Sequence, residues 1–191
     1  MNWDTQLFYA INGLAERSTF MDWMMLAVGL PATFLLPGAL ALSYWLWRSR
    51  REALVGVAAV AALIIAVDQF GAQIKHLVAR VRPCHALAGI HQLTGCGGTF
   101  SFPSNHALNT AAAAAFAQVL YPRTGWIAWP IVAVAGFSRV YVGAHYVTDV
   151  LGAWIIGGSL GALAGMLLVK SRYFRLGNDS SSAIPVSRPG D

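Results

Sequence analysis

Residues 53–74, ALVGVAAVAALIIAVDQFGAQI, decide the fold of this chain, because these 22 consecutive residues contain a single charge, Asp68. A hydrocarbon core about 30 Å thick takes about 20 apolar residues as a helix. The stretch therefore predicts a transmembrane helix. The composition agrees, since 11% of the residues are charged and the mean hydropathy is +0.55, whereas soluble domains average about 25% charged residues.

Further apolar stretches on either side predict more spans. Trp23 to Trp47 contains no charge, and its prolines Pro31 and Pro37 predict kinks. The later candidates are residues 104–121, 126–140 and 146–169. Residues 3–15 are short and mix polar with apolar side chains, which favours an interfacial helix, with a slanted sixth span as the alternative. We predict an all-α polytopic membrane bundle of five to six transmembrane helices with an N-terminal interfacial helix.

The domain organisation is expected to be simple. Residues 1–176 are predicted to form one membrane domain. Residues 177–191 are rich in Ser, Pro and Gly, which predicts a disordered tail. The basic residues form no dense run, so no nucleic-acid partner is expected.

The basic residues between spans predict the orientation of the bundle. Residues 48–51, Arg123 and residues 170–175 fall on one face, and short basic loops face the cytoplasm. The opposite face carries the long loop at residues 84–103. We predict a multi-pass protein of the bacterial inner membrane with a cytoplasmic C-terminus and its outer loops in the periplasm or outside.

Three polar clusters recur at helix ends on the predicted outer face. They are KHLVARVRP at residues 75–83, FPSNH at residues 102–106, and SRVYVGAHYVTD at residues 138–149. Each cluster alone has an ordinary explanation. Lys75 and Arg82 could be snorkelling anchors, and Ser104 could be a helix cap. His145 and Asp149, at i and i+4, could be a buried pair. Their common depth on one face favours a shared site.

The residue types in these clusters suit a phosphate. Lys75, Arg82 and Arg139 have no carboxylate partners in their motifs, so they favour a multiply charged anion, and the arginine fork fits phosphate oxygens. Ser104 and free backbone N–H groups at a helix start add donors.

The two histidines of the clusters suit different roles in phosphoryl transfer. His145 has Asp149 one helical turn later, which can hold one ring nitrogen protonated and leave the other nucleophilic. His106 has no carboxylate in its own segment, so it can protonate a leaving oxygen.

The complete pattern resembles the signature of the type 2 phosphatidic acid phosphatase superfamily. That signature is Lys, six residues, Arg-Pro; Pro-Ser-x-His; and Ser-Arg, five residues, His, three residues, Asp, and every spacing matches. The resemblance implies that His145 accepts the phosphoryl group, that Asp149 supports it, and that His106 acts as acid and then base. It also implies a phosphate site, formed by Lys75, Arg82, Ser104, Arg139 and the backbone of Asn105.

One position departs from the family pattern, because Asn105 stands where the family usually has Gly. Asn tolerates left-handed backbone better than most residues, so its amide can still point at phosphate. Soluble vanadium haloperoxidases share the signature, but the apolar spans argue against them. A non-enzymatic anion or lipid transporter is the alternative from another class.

The motif recognises phosphate, so it does not select the lipid. The short chain, the segment FYAINGL and the compact outer loop resemble bacterial undecaprenyl pyrophosphate phosphatases, which makes that lipid diphosphate the expected substrate. Phosphatidylglycerophosphate, phosphatidic acid and lipid A phosphates are the alternatives. No cofactor and no metal are expected, since carboxylates are scarce on the outer face. The oligomeric state is left open.

Three further features lie outside the signature. Cys84 and Cys96 share a turn-rich outer loop, which favours a disulfide over two free thiols. Asp68 is expected to face the bundle, because a lipid-exposed carboxylate costs about 2.5 kcal/mol or more. The repeat of Gly157, Gly161 and Gly165 predicts close helix packing within the chain rather than a dimer.

Overall fold

The structure is a computed structural model that describes residues 2–171. Its helices are α1 (Trp3–Asn12), α2 (Thr19–Val28), α3 (Leu35–Arg48), α4 (Arg50–Val78), α5 (Pro83–Ala86), α6 (Asn105–Leu120), α7 (Gly125–Tyr141) and α8 (Val147–Lys170). Extended pairing in residues 2–171 is limited to one isolated bridge, between Val81 and Phe100. The all-α class is therefore confirmed for these residues. The predicted tail, residues 177–191, lies outside them.

Helix α6 lies at the centre of the bundle and is rich in alanine. It packs most extensively against α8 and also contacts α4 and α7. The alanines that face these neighbours are buried: Ala107, Ala111, Ala112, Ala114 and Ala115. Small side chains on several faces let three helices approach one axis closely.

The glycine repeat of α8 faces α6 within the same chain. A Cβ added at Gly157 would overlap the carbonyl oxygen of Leu108, and one added at Gly161 would overlap the carbonyl oxygen of Ala112. The predicted role in packing within the chain is therefore confirmed. This contact holds the start of α6 beside the start of α8, where two of the three motifs lie.

Substitution of Gly161 is expected to destabilise the bundle. Because the overlapping atom is backbone, Gly161→Ala must separate α6 from α8, and overpacking of this kind costs about 1–3 kcal/mol. Gly158→Ala is the matched control, since its Cβ would meet Trp129 Cη2 at an ordinary 3.6 Å. Thermal unfolding in detergent should show a lower melting temperature for Gly161→Ala alone. Equal melting temperatures for the two variants would contradict this account of the packing.

The number of spans stays a prediction. Two helices, α4 and α8, are long and apolar enough to cross a membrane, and the bent pair of α2 and α3 makes a third if it is one broken span. Helices α6 and α7 have 16 and 17 residues, which is below the roughly 20 residues that a full crossing takes. Both are shielded by neighbouring helices over part of their surface.

The predicted kinked span from Trp23 to Trp47 is divided between α2 and α3, which meet at a bend of 77°. Pro31 disfavours helical backbone at the preceding Leu30, which is extended at φ −92° and ψ 127°. The kink expected at Pro31 is thus a break. Pro37 falls in the first turn of α3, where its missing N–H interrupts no helical hydrogen bond.

Helix α1 covers the end of the bundle at which the three motifs lie. Its ten residues extend about 15 Å, which is too short for a membrane crossing and excludes the slanted-span alternative. Asp4, Phe8 and Asn12 are buried. The Asn12 amide donates to the carbonyl oxygens of Tyr141, at 2.8 Å, and His91, at 2.7 Å. These bonds tie α1 to α7 and to the outer loop.

Asp68 of α4 points into the bundle, as expected. Its Oδ1 accepts hydrogen bonds from the side-chain amides of Asn109, at 2.9 Å, and Asn105, at 3.4 Å. A polar group away from water is stabilised when it is hydrogen-bonded. Asp68 therefore joins α4 to the first turns of α6.

Candidate active site

The three motifs meet at one end of the bundle because each lies at the end of a helix. Lys75 is in the last turn of α4, and Ser104 immediately precedes α6. Arg139 is in the last turn of α7, and Asp149 is in the first turn of α8. His145 lies in the short connection between α7 and α8.

Backbone pairing brings the first motif beside the second. The N–H of Arg82 donates to the carbonyl oxygen of Thr99 at 3.0 Å, and the N–H of Ser101 donates to that of Arg80 at 2.7 Å. The Arg82 Nε also donates to the carbonyl oxygen of Phe100 at 3.1 Å. Residues 80–82 are thereby fixed against the segment that leads into FPSNH.

The three cations converge without carboxylate partners. In the part of the chain that the structure describes, none of Lys75, Arg82 and Arg139 makes an ion pair. The Lys75 ammonium donates to the carbonyl oxygen of Pro103. Arg82 is within electrostatic reach of Arg139, His106 and His145. Uncompensated, partly buried cations of this kind favour a bound anion.

The pKa of Arg82 is affected by burial and by one nearby carboxylate. Burial lowers the pKa of its guanidinium below the ordinary value, while the nearby carboxylate of Asp149 acts in the opposite direction. An arginine remains charged under these conditions. Its desolvation is best offset by a phosphate that bonds to several of its donors.

Ser104 occupies the N-cap position of α6, but its side chain does not cap the helix. It is fully buried, it makes no side-chain capping bond to α6, and its Oγ has no hydrogen-bond partner in the described residues. A buried hydroxyl without a partner is costly unless a ligand satisfies it. The ordinary explanation for this serine is therefore wrong, and a phosphate oxygen is the partner that its surroundings favour.

Asn105 begins α6 and directs its side chain at Asp68. It is not among the residues with positive φ in the described part of the chain. Asn105 therefore stands in place of the usual Gly without adopting the left-handed backbone that we expected. The amide at the first position of a helix is free of intrahelical bonds in any case.

His145 and Asp149, the predicted nucleophile and its supporting carboxylate, lie side by side. The Nδ1 of His145 lies 3.6 Å from Oδ2 of Asp149, and both side chains are buried. This exceeds a hydrogen-bond distance, and such contacts tighten in many enzymes when substrate binds. Oδ2 also accepts a bond from the backbone N–H of Tyr146 at 2.9 Å. The carboxylate thus faces Nδ1 and leaves Nε2 of His145 for chemistry.

Comparison with known protein families identifies the family of this chain. The family model described as the PAP2 superfamily matches residues 53–173, which include all three motifs. The chain belongs to the PAP2 superfamily. The match begins at the first residue of the apolar stretch that predicts the span of α4.

Named PAP2 relatives act on different lipids. The chain is 31% identical over 169 residues to undecaprenyl-diphosphatase BcrC of Bacillus subtilis strain 168, covering 83% of this chain and 80% of the relative. It is 34% identical over 166 residues to a lipid A 4′-phosphatase of Bacteroides thetaiotaomicron, covering 81% and 72%.

A solved PAP2 structure has the same arrangement of helices. The crystal structure of a transmembrane PAP2 phosphatidylglycerolphosphate phosphatase from Bacillus subtilis aligns with a TM-score of 0.66 and 26% identity, covering 92% of this chain and 90% of that one. The protein is a membrane lipid phosphatase of the PAP2 superfamily. Nothing in these similarities supports a transporter.

His145 is expected to stay neutral well below neutral pH. It lies in a connection outside the helices, and burial lowers the pKa of its imidazole to about 4, although Asp149 opposes the shift. Because the neutral ring is the nucleophilic form, His145 remains competent when an ordinary histidine protonates. NMR of histidine-labelled protein, assigned with His145→Gln, should show a neutral ring at pH 6. Titration near 6.5 would contradict this environment.

His106 and Arg139 both line one cavity. The cavity has a volume of about 280 Å³ and is lined by residues of α2, α6 and α7 and by the break between α2 and α3. The imidazole lies against the backbone of Gly29 and within electrostatic reach of Arg139 and Arg82. His106 is therefore accessible to a leaving group and to water on the substrate side.

Gly29, at the end of α2, contacts the predicted phosphate-binding residue Arg139, and no sequence motif singles it out. A Cβ added there would overlap the guanidinium of Arg139. We expect Gly29→Ala to displace this cation and reduce kcat/KM about 10- to 100-fold, the effect of a lost charged hydrogen bond. Steady-state phosphate release measures the change.

The control for Gly29→Ala is Gly38→Ala in α3, where an added Cβ meets nothing within 4 Å. Gly38→Ala should keep the activity of the unaltered enzyme. Because the guanidinium is the flexible end of a long side chain, Gly29→Ala should also keep its melting temperature. Full activity in Gly29→Ala would contradict the proposed closeness of α2 to the phosphate.

The outer loop places its two cysteines together. The structure joins Cys84 and Cys96 by a disulfide, with their Cα atoms 5.9 Å apart. His85 Nε2 lies 3.3 Å from Cys96 Sγ, a grouping that the sequence analysis did not anticipate. Metal ligation by cysteine requires thiolates, which the disulfide does not supply. The bridge closes the loop that follows Arg82.

Proposed function

We propose that the enzyme hydrolyses a lipid diphosphate, undecaprenyl diphosphate, to the lipid monophosphate and inorganic phosphate through a phosphohistidine on His145. One observation carries the proposal: Lys75, Arg82 and Arg139, without ion-pair partners in the described residues, surround two histidines and the unpartnered hydroxyl of Ser104. A multiply charged phosphate group satisfies all of them.

The first chemical step transfers the terminal phosphoryl group to the enzyme. Nε2 of His145 attacks phosphorus, the bond from phosphorus to the bridging oxygen breaks, and His106 donates a proton to that oxygen. Asp149 faces Nδ1 and stabilises the positive charge that develops on the ring. Three cations and Ser104 stabilise the equatorial oxygens in the transition state.

The second step regenerates the enzyme. His106, now neutral, removes a proton from water, and the resulting hydroxide attacks the phosphorus of phosphohistidine. The bond between nitrogen and phosphorus breaks, inorganic phosphate leaves, and His145 is neutral again. The low pKa of His145 supports this return to the nucleophilic form.

The choice of lipid rests on charge and on access. A terminal diphosphate has one more ionised phosphate group than a lone phosphomonoester such as that of phosphatidic acid, so it presents more negative charge to three fixed cations. The cavity beside His106 has apolar lining from Val28, Leu30 and Phe34, where the bend between α2 and α3 opens a path for a hydrocarbon chain. The similarity to undecaprenyl-diphosphatase BcrC supports the same lipid.

Phosphatidylglycerophosphate and lipid A phosphates are the second candidates. They are favoured by the likeness to the phosphatidylglycerolphosphate phosphatase structure and to the lipid A 4′-phosphatase. The residues that contact phosphate are expected to be the same for all three lipids, so the distinction lies in the chain that the cavity accepts.

The site is proposed to face away from the cytoplasm. Arg50 and Arg51 begin α4 whereas Lys75 lies at its other end, and Lys170 ends α8 whereas Asp149 lies at its start. The basic loops are therefore at the end of the bundle opposite the site, which supports this orientation.

A panel of lipids tests the substrate. Purified enzyme in detergent is given undecaprenyl diphosphate, phosphatidylglycerophosphate, phosphatidic acid or lipid A, and phosphate release is measured, with His145→Ala as the blank. We expect kcat/KM for undecaprenyl diphosphate to exceed the others by about tenfold or more. A higher kcat/KM for one of the other lipids would overturn the substrate assignment, and release by His145→Ala would overturn the mechanism.

A further inference from the structure

Arg80 lies two residues before Arg82 but has a different environment. Its Nη1 donates to Oδ1 of Asp149 at 2.7 Å, and its Nη2 donates to Oδ2 of Asp4 at 2.5 Å. Its side chain is 28% exposed. Two carboxylates already balance this cation, so it is not available for a phosphate in the way that the uncompensated Arg82 is.

The main chain holds Arg80 in place for these contacts. Ala79 before it adopts left-handed backbone at φ 49°, which turns the chain sharply after α4. The carbonyl oxygen of Arg80 accepts hydrogen bonds from the N–H and the Oγ of Ser101, at 2.7 and 3.2 Å. The guanidinium also lies over the ring of Tyr146, 3.9 Å from the centroid.

Arg80 determines the orientation of the Asp149 carboxylate. Asp149 is fully buried, and its two carboxylate oxygens have different partners. Oδ1 accepts a hydrogen bond from Arg80. Oδ2 accepts one from the N–H of Tyr146 and also faces His145. A buried carboxylate requires a cation or several donors. His145 is neutral and does not balance this charge. Lys75 and Arg82 lie within electrostatic reach of Asp149, and Arg80 is the cation that contacts it directly.

Asp4 fixes the other side of Arg80. Its Oδ1 accepts from the N–H of Thr148 at 3.1 Å, and its Oδ2 accepts from the Thr148 hydroxyl at 2.6 Å. Burial raises the pKa of Asp4, but the bonds from Arg80 and Thr148 outweigh it, so the pKa lies below its usual value. Asp4 is therefore an anion that belongs to α1 and contacts the start of α8.

We propose that Arg80 is a positioning residue of this phosphatase, held between Asp4 and Asp149 so that Asp149 aims His145 at the phosphate. Through the contacts from Asp4 to Arg80 and from Arg80 to Asp149, helix α1 helps to orient His145. The inference rests on the proposed role of His145 as nucleophile. It predicts that Arg80 influences the rate of phosphoryl transfer without binding the substrate.

Two substitutions of Arg80 test the role. Arg80→Gln should lower kcat about 10- to 100-fold, the usual range for residues that orient a catalytic group, with KM within about twofold. Arg80→Lys should recover only part of the loss, because one ammonium does not reproduce the two-armed contact. Arg17→Gln is the control, an exposed cation near the same face that makes no ion pair in residues 2–171.

A double-mutant cycle tests the path through α1. Asp4→Asn alone should lower kcat about five- to tenfold, but in the Arg80→Gln background it should add less than about twofold, because Asp4 acts through Arg80. Independent, multiplying effects would overturn the link between Asp4 and Arg80. Melting temperatures of all variants accompany the kinetics.

Chemical rescue separates positioning from folding. Guanidinium ion at low millimolar concentration should restore part of kcat to Arg80→Ala without changing its melting temperature. A loss of activity that follows the melting temperature and resists rescue would overturn the proposal, as would a change confined to KM or no change at all.

The activity of His145→Ala separates failure of this inference from failure of the proposed function. If His145→Ala stays active, the proposed function fails. If His145→Ala is inactive while Arg80→Gln has normal activity, only this inference fails.

Discussion

Replacing His145 with Ala should abolish turnover, with a loss in kcat of about 10⁴-fold or more, as expected when the nucleophile of a covalent mechanism is removed. The alanine has no atom that can accept the phosphoryl group from the lipid. Phosphate release under single-turnover conditions measures the loss. The melting temperature serves as a control, because burial of a smaller neutral side chain next to Asp149 alters packing.

His106→Ala should fail in a different way. General acid–base catalysis contributes about 10²- to 10⁴-fold, so kcat should fall within that range while lipid binding stays largely intact. His106 lies at the accessible side of the site, against Gly29, and its loss leaves the three cations in place. Near-normal turnover in His145→Ala, or a larger loss in His106→Ala than in His145→Ala, would contradict the assignment of roles.

Arg82→Gln should lower kcat about 10²- to 10³-fold, because electrostatic stabilisation of the transition state is lost. Arg82 is within electrostatic reach of Arg139 and both histidines, which places its charge centrally in the site. Arg82→Lys should recover the charge but not the fork that fits phosphate oxygens. Steady-state kinetics with the preferred lipid measures these effects.

Arg123→Gln provides the matched control for Arg82. Arg123 is exposed in the turn between α6 and α7, at the opposite end of α6 from Ser104. Its loss should leave kcat and KM unchanged. Because Arg82 Nε also bonds to the carbonyl oxygen of Phe100, the melting temperature of Arg82→Gln must be compared too. An unchanged kcat in Arg82→Gln would contradict its proposed contact with the transferred phosphoryl group.

The sequence predicted those features that depend on local pattern. Hydrophobic length located α4 and α8 to within a few residues, since a run of apolar residues has few alternatives to a buried or membrane helix. The limits of the apolar stretches placed Lys75, Ser104 and Asp149 at helix ends on one face, and helices that pack side by side bring such ends together.

Features that depend on contacts between distant segments were not predictable. The sequence identified Pro31 but not the 77° bend, because the angle depends on how α2 and α3 pack. Gly29 carries no local sign of its contact with Arg139, more than a hundred residues later. Arg80 and Asp4 carry no local sign of their role, and only the contacts of Arg80 with Asp4 and with Asp149 distinguish them.

Trapping the phosphoenzyme tests the central claim most directly. Enzyme mixed with substrate labelled in its terminal phosphate and quenched within milliseconds should yield a phosphoprotein that is stable in alkali and labile in acid. Mass spectrometry should place the phosphate on His145, and in His106→Ala this phosphoprotein should both form and decay more slowly. Turnover without any trapped phosphoprotein, or phosphate on another residue, would contradict the account.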